Sequence, residues 1–369
     1  MNKAMKMPSN YKPLLVFACL ALSFRLAGQT YESSRSVREA YRIASNAEVQ
    51  VINKYGDIHL IPWEKDSVVF EIDLTVTSNK QAKVDKIVDY IDFDFKSTAY
   101  YVVAKTLFEG QDNIWSEMAD VASTIFSTGT STRIDYTVYF PSGNDIRIEN
   151  KFGNIYTTDH TGKVDITLSN GDMKAHTFSG PTRLKLEFGN FSIDKVVNGN
   201  ITLGYAELNL EDAGDINFET RSSKIYLNSI DVLHMDSKRD HYYIKAAREI
   251  TGDAFFSYLN LDKVMNKISL KTNYGDIKVL SIAESFIRLD LSSQYSDINI
   301  YLDDDHLFEF DITRDDRTQV ISSASLISKK EEPVAGMEKT FRASITAGRL
   351  DKPKVPVIIN MKSGKIYLF

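Results

Sequence analysis

The sequence predicts a mainly β protein built on a parallel β-solenoid, a β-helix of about nine coils of 17–18 residues, with a small α+β insert near its start and a cap at its end. Three observations lead there. The string Asn53-Lys54-Tyr55-Gly56-Asp57-Ile58 returns as Asn150-Lys151-Phe152-Gly153-Asn154-Ile155 and as Thr272-Asn273-Tyr274-Gly275-Asp276-Ile277. With its small residue as reference, equivalents fall at Gly153, Gly171, Gly189, Ala206, Ser223, Asp240, Ser257, Gly275 and Ser296, and outlying copies at Gly56 and Gly364. The intervals from Gly153 onward are 18, 18, 17, 17, 17, 17, 18 and 21, and apolar residues keep fixed distances from the reference along the series.

Those distances define the inward points of each coil. Two residues past the reference every copy is apolar or aromatic, from Ile58 and Ile155 through Ile225, Leu259 and Ile277 to Ile366; four past it only Thr157 departs. This alternation marks a strand with one buried side. A second column, five residues before the reference, is broken only at Gly252, and a third, seven after it, includes Trp63, His160, Phe178 and Ile282. A segment of 17 residues cannot bury its own apolar side, but copies stacked at about 4.8 Å bury one another's, and nine would stand about 40 Å tall. The residue just before the reference is aromatic in seven of eleven copies where 11% aromatic content predicts about one, so we expect a corner of stacked rings whose small successor makes the turn.

In chain order, residues 1–28 read as a secretory signal peptide: Lys3, Lys6 and Lys12, the apolar run Leu14 to Leu22, then Ala27 and Gly28. That run is too short for a spanning helix, which needs about 20 residues, and no second candidate follows. Residues 29–65 hold the first repeat copy. Residues 66–142 form the α+β insert: alternating runs Val68 to Val76, Ile91 to Ala104 and Ile134 to Phe140, a helical face at Val84, Ile87, Val88 and Ile91, and a further helix carrying Trp115, Met118 and Ile125. The solenoid occupies 143–302. The cap, 303–369, reads as a polar segment to Asp351 and a closing strand pair from Val355 to Phe369, since an open solenoid end would template aggregation.

With 43% hydrophobic and 25% charged residues the chain can fill a core. Its one cysteine, Cys19, lies in the leader and resembles a lipoprotein acceptor only faintly, so the mature chain is expected to have neither disulfides nor thiolate metal sites. Removing the four basic residues of 1–28 takes the formal charge from −6 to −10, which argues against nucleic acid or anionic lipid as a partner. The terminal Ile366-Tyr367-Leu368-Phe369 is similar to the last strand of an outer-membrane barrel, but the series of lipid-facing strands is missing.

The Asn-Lys-Tyr/Phe-Gly-Asp/Asn-Ile string, the preceding Asp135-Tyr136-Thr137-Val138-Tyr139-Phe140-Pro141 strand, the leader and the strand-helix-strand insert resemble the adhesin-like β-strand-repeat proteins of Gram-negative envelopes, a domain family of unknown function. The resemblance covers nearly the whole mature chain. It implies an exported β-helical scaffold and no catalytic residue set.

The residues themselves point the same way. One past the reference, Asp276 and Asp297 are the neighbouring acids; they have the oxygen ligands calcium takes, but Asp and Asn are also the ordinary residues of tight turns, which is the reading we adopt. Among the six histidines no two are spaced as a helical metal pair, and His160, in an inward column, is expected to be a hydrogen-bonded core residue. The runs Asp303-Asp304-Asp305 and Asp315-Asp316 read as solvated loops. No phosphate loop, nucleophile elbow or Cys/His arrangement is present, so neither a cofactor nor a metal is expected. What remains is a surface: on three consecutive coils the outward positions one and three past the reference bring together Lys224, Tyr226, His241, Tyr243, Tyr258 and Asn260, stacked rings edged with polar groups that suit a glycan or an envelope surface protein. The expected role is a non-enzymatic adhesin or scaffold of the cell envelope, exported to the periplasm, the outer-membrane surface or beyond. The alternatives are a carbohydrate-active β-helix enzyme and a periplasmic sensor or accessory protein.

Overall fold

The computed structural model of the chain describes residues 30–108 and 129–369, so the leader and the helix expected around Trp115 lie outside it. Strand dominates: 24 strands form one mostly parallel sheet that does not close, and the described residues hold one helix, Gln81–Tyr90.

Strand pairing follows the repeat. Leu208, Ile225, Tyr242, Leu259 and Ile277 are successive partners, parallel and in register. The outlying copies join the same ladder, Ile58 beside Ile155 and Ile366 beside Ile298. The columns two and four past the reference are buried in every copy, and the column five before it in every copy but Gly252. Full burial of such a side chain contributes about 1.5–3 kcal/mol, so the columns are the main source of stability. Gly252 has a reason: it pairs with Met235 at φ +133°, and a Cβ there would lie 2.0 Å from the Met235 carbonyl oxygen.

The corner differs from the expectation. In every copy the residue before the reference, aromatic or not, is itself left-handed, with φ between 53° and 69° from Tyr55 to Ser363. A non-glycine residue in this region costs about 1–2 kcal/mol. At the aromatic copies ring stacking offsets it: Tyr55 lies on Phe152 at 5.5 Å, Phe188 on Tyr205 at 5.2 Å, and Phe256, Tyr274 and Tyr295 follow at 4.8 and 4.9 Å. At Gly153 the glycine that follows is required by close approach instead of by its own φ, since a Cβ there would sit 1.9 Å from the Gly56 carbonyl oxygen.

Two further changes of direction show in the burial pattern. Along Glu207–Arg221 the in-out alternation slips at Glu211-Asp212 and again at Gly214-Asp215, so the chain bends twice within one strand. Lys224–Lys238 slips at the equivalent places.

Elsewhere the structure revises the reading. The helix ends at Tyr90, and Ile91 opens the strand Ile91–Ser97, because Ile91-Asp92-Phe93-Asp94-Phe95 alternates with period two. The expected run to Ala104 is broken by a turn in which the Thr98 N–H donates to the Tyr101 carbonyl, and a new strand, Tyr101–Phe108, follows. The expected polar segment before Asp351 contains four strands, Leu307–Asp315, Thr318–Ser322, Leu326–Pro333 and Thr340–Gly348, and the closing pair is one strand, Lys354–Leu368. Leu307–Asp315 runs antiparallel to Thr340–Gly348 and parallel to Lys354–Leu368, burying Phe308, Phe310 and Ile312.

The chain divides into two compact units. The smaller takes in Leu74–Asp92; within it the helix buries Val84 and Ile87, the Arg35 guanidinium donates to the Ile91 carbonyl at 2.6 Å, and Tyr90 packs against Phe108. The larger, Ser36–Asp73, Phe93–Leu107 and Ile134–Phe369, holds the repeat.

Candidate functional site

The structure brings all six predicted residues onto one face. Lys224, His241 and Tyr258 are successive partners on adjoining strands, and so are Tyr226, Tyr243 and Asn260. Positions one and three past the reference point away from the buried columns, which fixes both ladders outward. Tyr226 stacks on Tyr243 at 5.0 Å and His241 on Tyr258 at 4.9 Å, with ring planes 10° and 15° apart. Tyr243 is 41% and Tyr258 48% exposed, so about half of each ring is available to a ligand.

Beside the tyrosines runs a shallow groove of about 380 Å³. Its floor is the buried Leu210, Leu227 and Ile244; Tyr226, Tyr243 and Asn260 form one wall, and Glu211, Lys245 and Asp262 the other. The second wall was missed from sequence because it lies five past the reference, where the alternation slips. A second omission is the corner ridge: Phe256, Tyr274 and Tyr295 are 42–45% exposed, so rings read as structural also face solvent. Their seven-fold recurrence was visible in the sequence, whereas their exposure depends on the left-handed corner.

The acids behave as turn residues. The Asp297 N–H donates to Asp276 Oδ1 at 3.1 Å, and the Lys365 N–H to Asp297 Oδ1 at 3.0 Å. Burial alone would raise the Asp315 carboxyl, but donors on Ser363, Thr318 and Arg317 outweigh it and hold it down at about 2. Asp303 accepts from the His306 ring at 2.6 Å. Among the described residues no group of three or more His, Cys, Asp or Glu side chains is placed to hold a metal ion, and no helix is long and apolar enough to cross a membrane.

His160 is inward and fully buried as expected, packed 5.5 Å from the Phe140 ring, but neither ring nitrogen meets a partner at hydrogen-bonding geometry. The backbone of Lys163 and Asn144 lies near the ring, just short of full hydrogen-bonding geometry, and its neighbour in the column, Phe178, is apolar. Burial pushes its imidazole down to about 4, with nearby backbone of Lys163 and the Asp145 charge opposing only in part.

No protein-family model matches the chain, and no curated protein matches it in sequence. Solved structures give weak likenesses. A "putative cell adhesion protein" from Clostridium sporogenes is 10% identical over 92% of this chain and 99% of its own, with a TM-score of 0.15. A "putative adhesin" from Bacteroides fragilis is 12% identical over 73% and 98%, with a TM-score of 0.27, and a "putative lipid binding protein" from Parabacteroides distasonis is 12% identical over 70% and 96%, with a TM-score of 0.29. Likenesses of this size carry neither fold nor function across.

Proposed function

We propose that the chain is an exported, non-enzymatic, adhesin-like scaffold of the bacterial envelope, a β-solenoid of about nine coils that binds glycan on its ring-bearing face. The observation that carries this reading is the pair of half-exposed ring ladders, Tyr226 on Tyr243 and His241 on Tyr258, beside a groove with polar walls. Aromatic faces take the C–H faces of sugar rings, while Asn260 and Lys224 offer hydrogen bonds to hydroxyls. A solenoid winding is supported by the constant register and by three changes of direction per interval, one left-handed and two at slips in burial. Export is supported by the order of basic, apolar and small residues in 1–28. A binding role is favoured over glycoside hydrolysis because the groove's acids, Glu211 and Asp262, are three strand spacings apart, about 14 Å, whereas paired catalytic carboxyls stand about 5–9.5 Å apart.

The test is retention of the secreted protein on a glycan array and on whole cells, with Tyr226, Tyr243 and Tyr258 replaced by Ser. Secretion and far-ultraviolet circular dichroism are expected to be unchanged while retention is lost. Retention equal to that of the wild type removes the reading.

A further inference from the structure

We infer that the groove beside Tyr226 and Tyr243 is one stretch of a longer channel shaped for a linear, uncharged polysaccharide lying across the strands, with a second ring platform at His59 and Tyr156. This extends the glycan-binding reading above and rests on it. A second hollow, about 430 Å³, lies between the same two positions of the repeat, three and five past the reference. Its rings repeat the first arrangement: His59 stacks on Tyr156 at 4.8 Å with planes 16° apart.

The linings of the two hollows lie on one ladder. From Tyr156 the outward ladder steps to Lys174, Ser192, Asn209 and Tyr226, each residue the register partner of the one before. Ser192 borders the second hollow and Asn209 the first, so the hollows meet between adjacent strands. Four steps separate the platforms, about 19 Å.

The lining selects the ligand class. Between the platforms the ladder is hydrogen-bonding throughout, Lys174, Ser192 and Asn209, which suits hydroxyls. The formal charges lining the two hollows nearly cancel, Lys174 and Lys245 against Asp194, Glu211 and Asp262, so no strong field of one sign favours an anionic or cationic chain. The rise of an extended sugar chain is comparable to the strand spacing of about 4.8 Å, so successive sugars meet successive rungs, and the platforms then hold units about four apart. Two weak platforms on one chain act as linked sites, and the second engages at high effective concentration.

The experiment is calorimetric titration of the secreted protein with size-fractionated fragments of linear β-glucan, xylan and mannan. For the fragments that bind, affinity is expected to rise on the order of tenfold or more once the fragment is long enough to reach both platforms. Ser192→Trp, which obstructs the middle of the channel, and the double variant His59→Ala with Tyr156→Ser should each remove that gain while leaving short fragments bound, with thermal midpoints checked against the wild type. An affinity that stops rising at fragments covering Tyr226 and Tyr243 alone, and is untouched by Ser192→Trp, overturns the long channel but leaves the local site standing. Absence of binding by fragments of every length overturns both.

Discussion

The two halves of the repeat place their side-chain acceptors for corner backbone donors differently. From Gly56 to Gly189 the reference residue is glycine and its successor is Asp or Asn, which accepts from its equivalent on the next strand: Asn154 N–H to Asp57 Oδ1, Asp172 N–H to Asn154 Oδ1 and Asn190 N–H to Asp172 Oδ1, all at 2.8 Å. From Ala206 to Ser257 the acceptor is the side chain of the reference residue itself. Ser223 Oγ takes the Ala206 N–H at 3.2 Å, Asp240 Oδ1 the Ser223 N–H at 2.8 Å, and Ser257 Oγ the Asp240 N–H at 3.2 Å. A buried donor must find a partner in either half. In this half the N–H groups of Lys224, His241 and Tyr258 go to the backbone carbonyls of Ala206, Ser223 and Asp240 at 2.9–3.0 Å, so the outward position after the reference needs no side-chain acceptor and is free to carry those three residues. The second corner differs too: three residues separate Phe178 from Thr182, but two separate their partners Val196 and Gly199. That lost residue turns the interval of 18 into 17 and lets Asn190–Gly204 run as one strand.

The largest effect is expected at Asp240, where the inner scheme concentrates. Its carboxyl group is fully buried and accepts from the hydroxyls of Thr220 and Ser237 at 2.6 and 2.7 Å and from the N–H groups of Ser223 and Lys238 at 2.8 and 2.9 Å. Asp240→Ala strands the Ser223 and Lys238 N–H groups where water does not reach and removes one acceptor from the Thr220 and Ser237 hydroxyls, and should lower unfolding stability by about 3 kcal/mol or more, read from the urea midpoint. A loss below about 1 kcal/mol means that the inner acceptor is dispensable, and the contrast between the halves fails.

The next effect sits in the glycine half and depends on pH. His160 titrates near 4 when folded and near its ordinary 6.5 when unfolded, so the unfolded chain binds the proton more readily. Stability is then level above pH 6.5 and falls as pH drops from 6.5 to 4, by about 3 kcal/mol for this one group. His160→Phe, which keeps a ring between Phe140 and Phe178, should remove that portion of the slope. Urea midpoints at pH 7.5 and 4.5 that shift equally in both proteins assign the acid sensitivity elsewhere.

Much of this was legible in the sequence, because side-chain period and repeat interval are one-dimensional. Ile225, Leu259 and Ile277 point inward as their column required, with at most 2% exposure. The six ring-face residues meet because equivalent positions pair. The location of the turn was not legible: an aromatic at positive φ runs against local preference, so the reading put the turn at the following glycine, and only stacking across strands explains Phe152 or Tyr274 there. Nor were the acceptors' partners, since Asp57 serves Asn154 across an insert. The strands from Leu307 to Gly348 were hidden by acidic residues that drew attention from the alternation Phe308, Phe310, Ile312.

The smallest expected effect separates the two schemes most cleanly. Asp172 is the glycine half's acceptor, one past the reference, and its bond to the Asn190 N–H faces solvent. In Asp172→Ala, water can take over the donor, so the loss should be about 1 kcal/mol, the net value of one exposed hydrogen bond. Asp172→Asn keeps the Oδ1 acceptor and should restore most of it. Asp240 takes the N–H of a reference residue inside and Asp172 the N–H one past the reference outside, so the ratio of their two costs compares a buried acceptor with an exposed one. Equal costs would show that the outward acceptors of the glycine half are as essential as the inner ones, and that releasing the position after the reference was not what made room for Lys224, His241 and Tyr258.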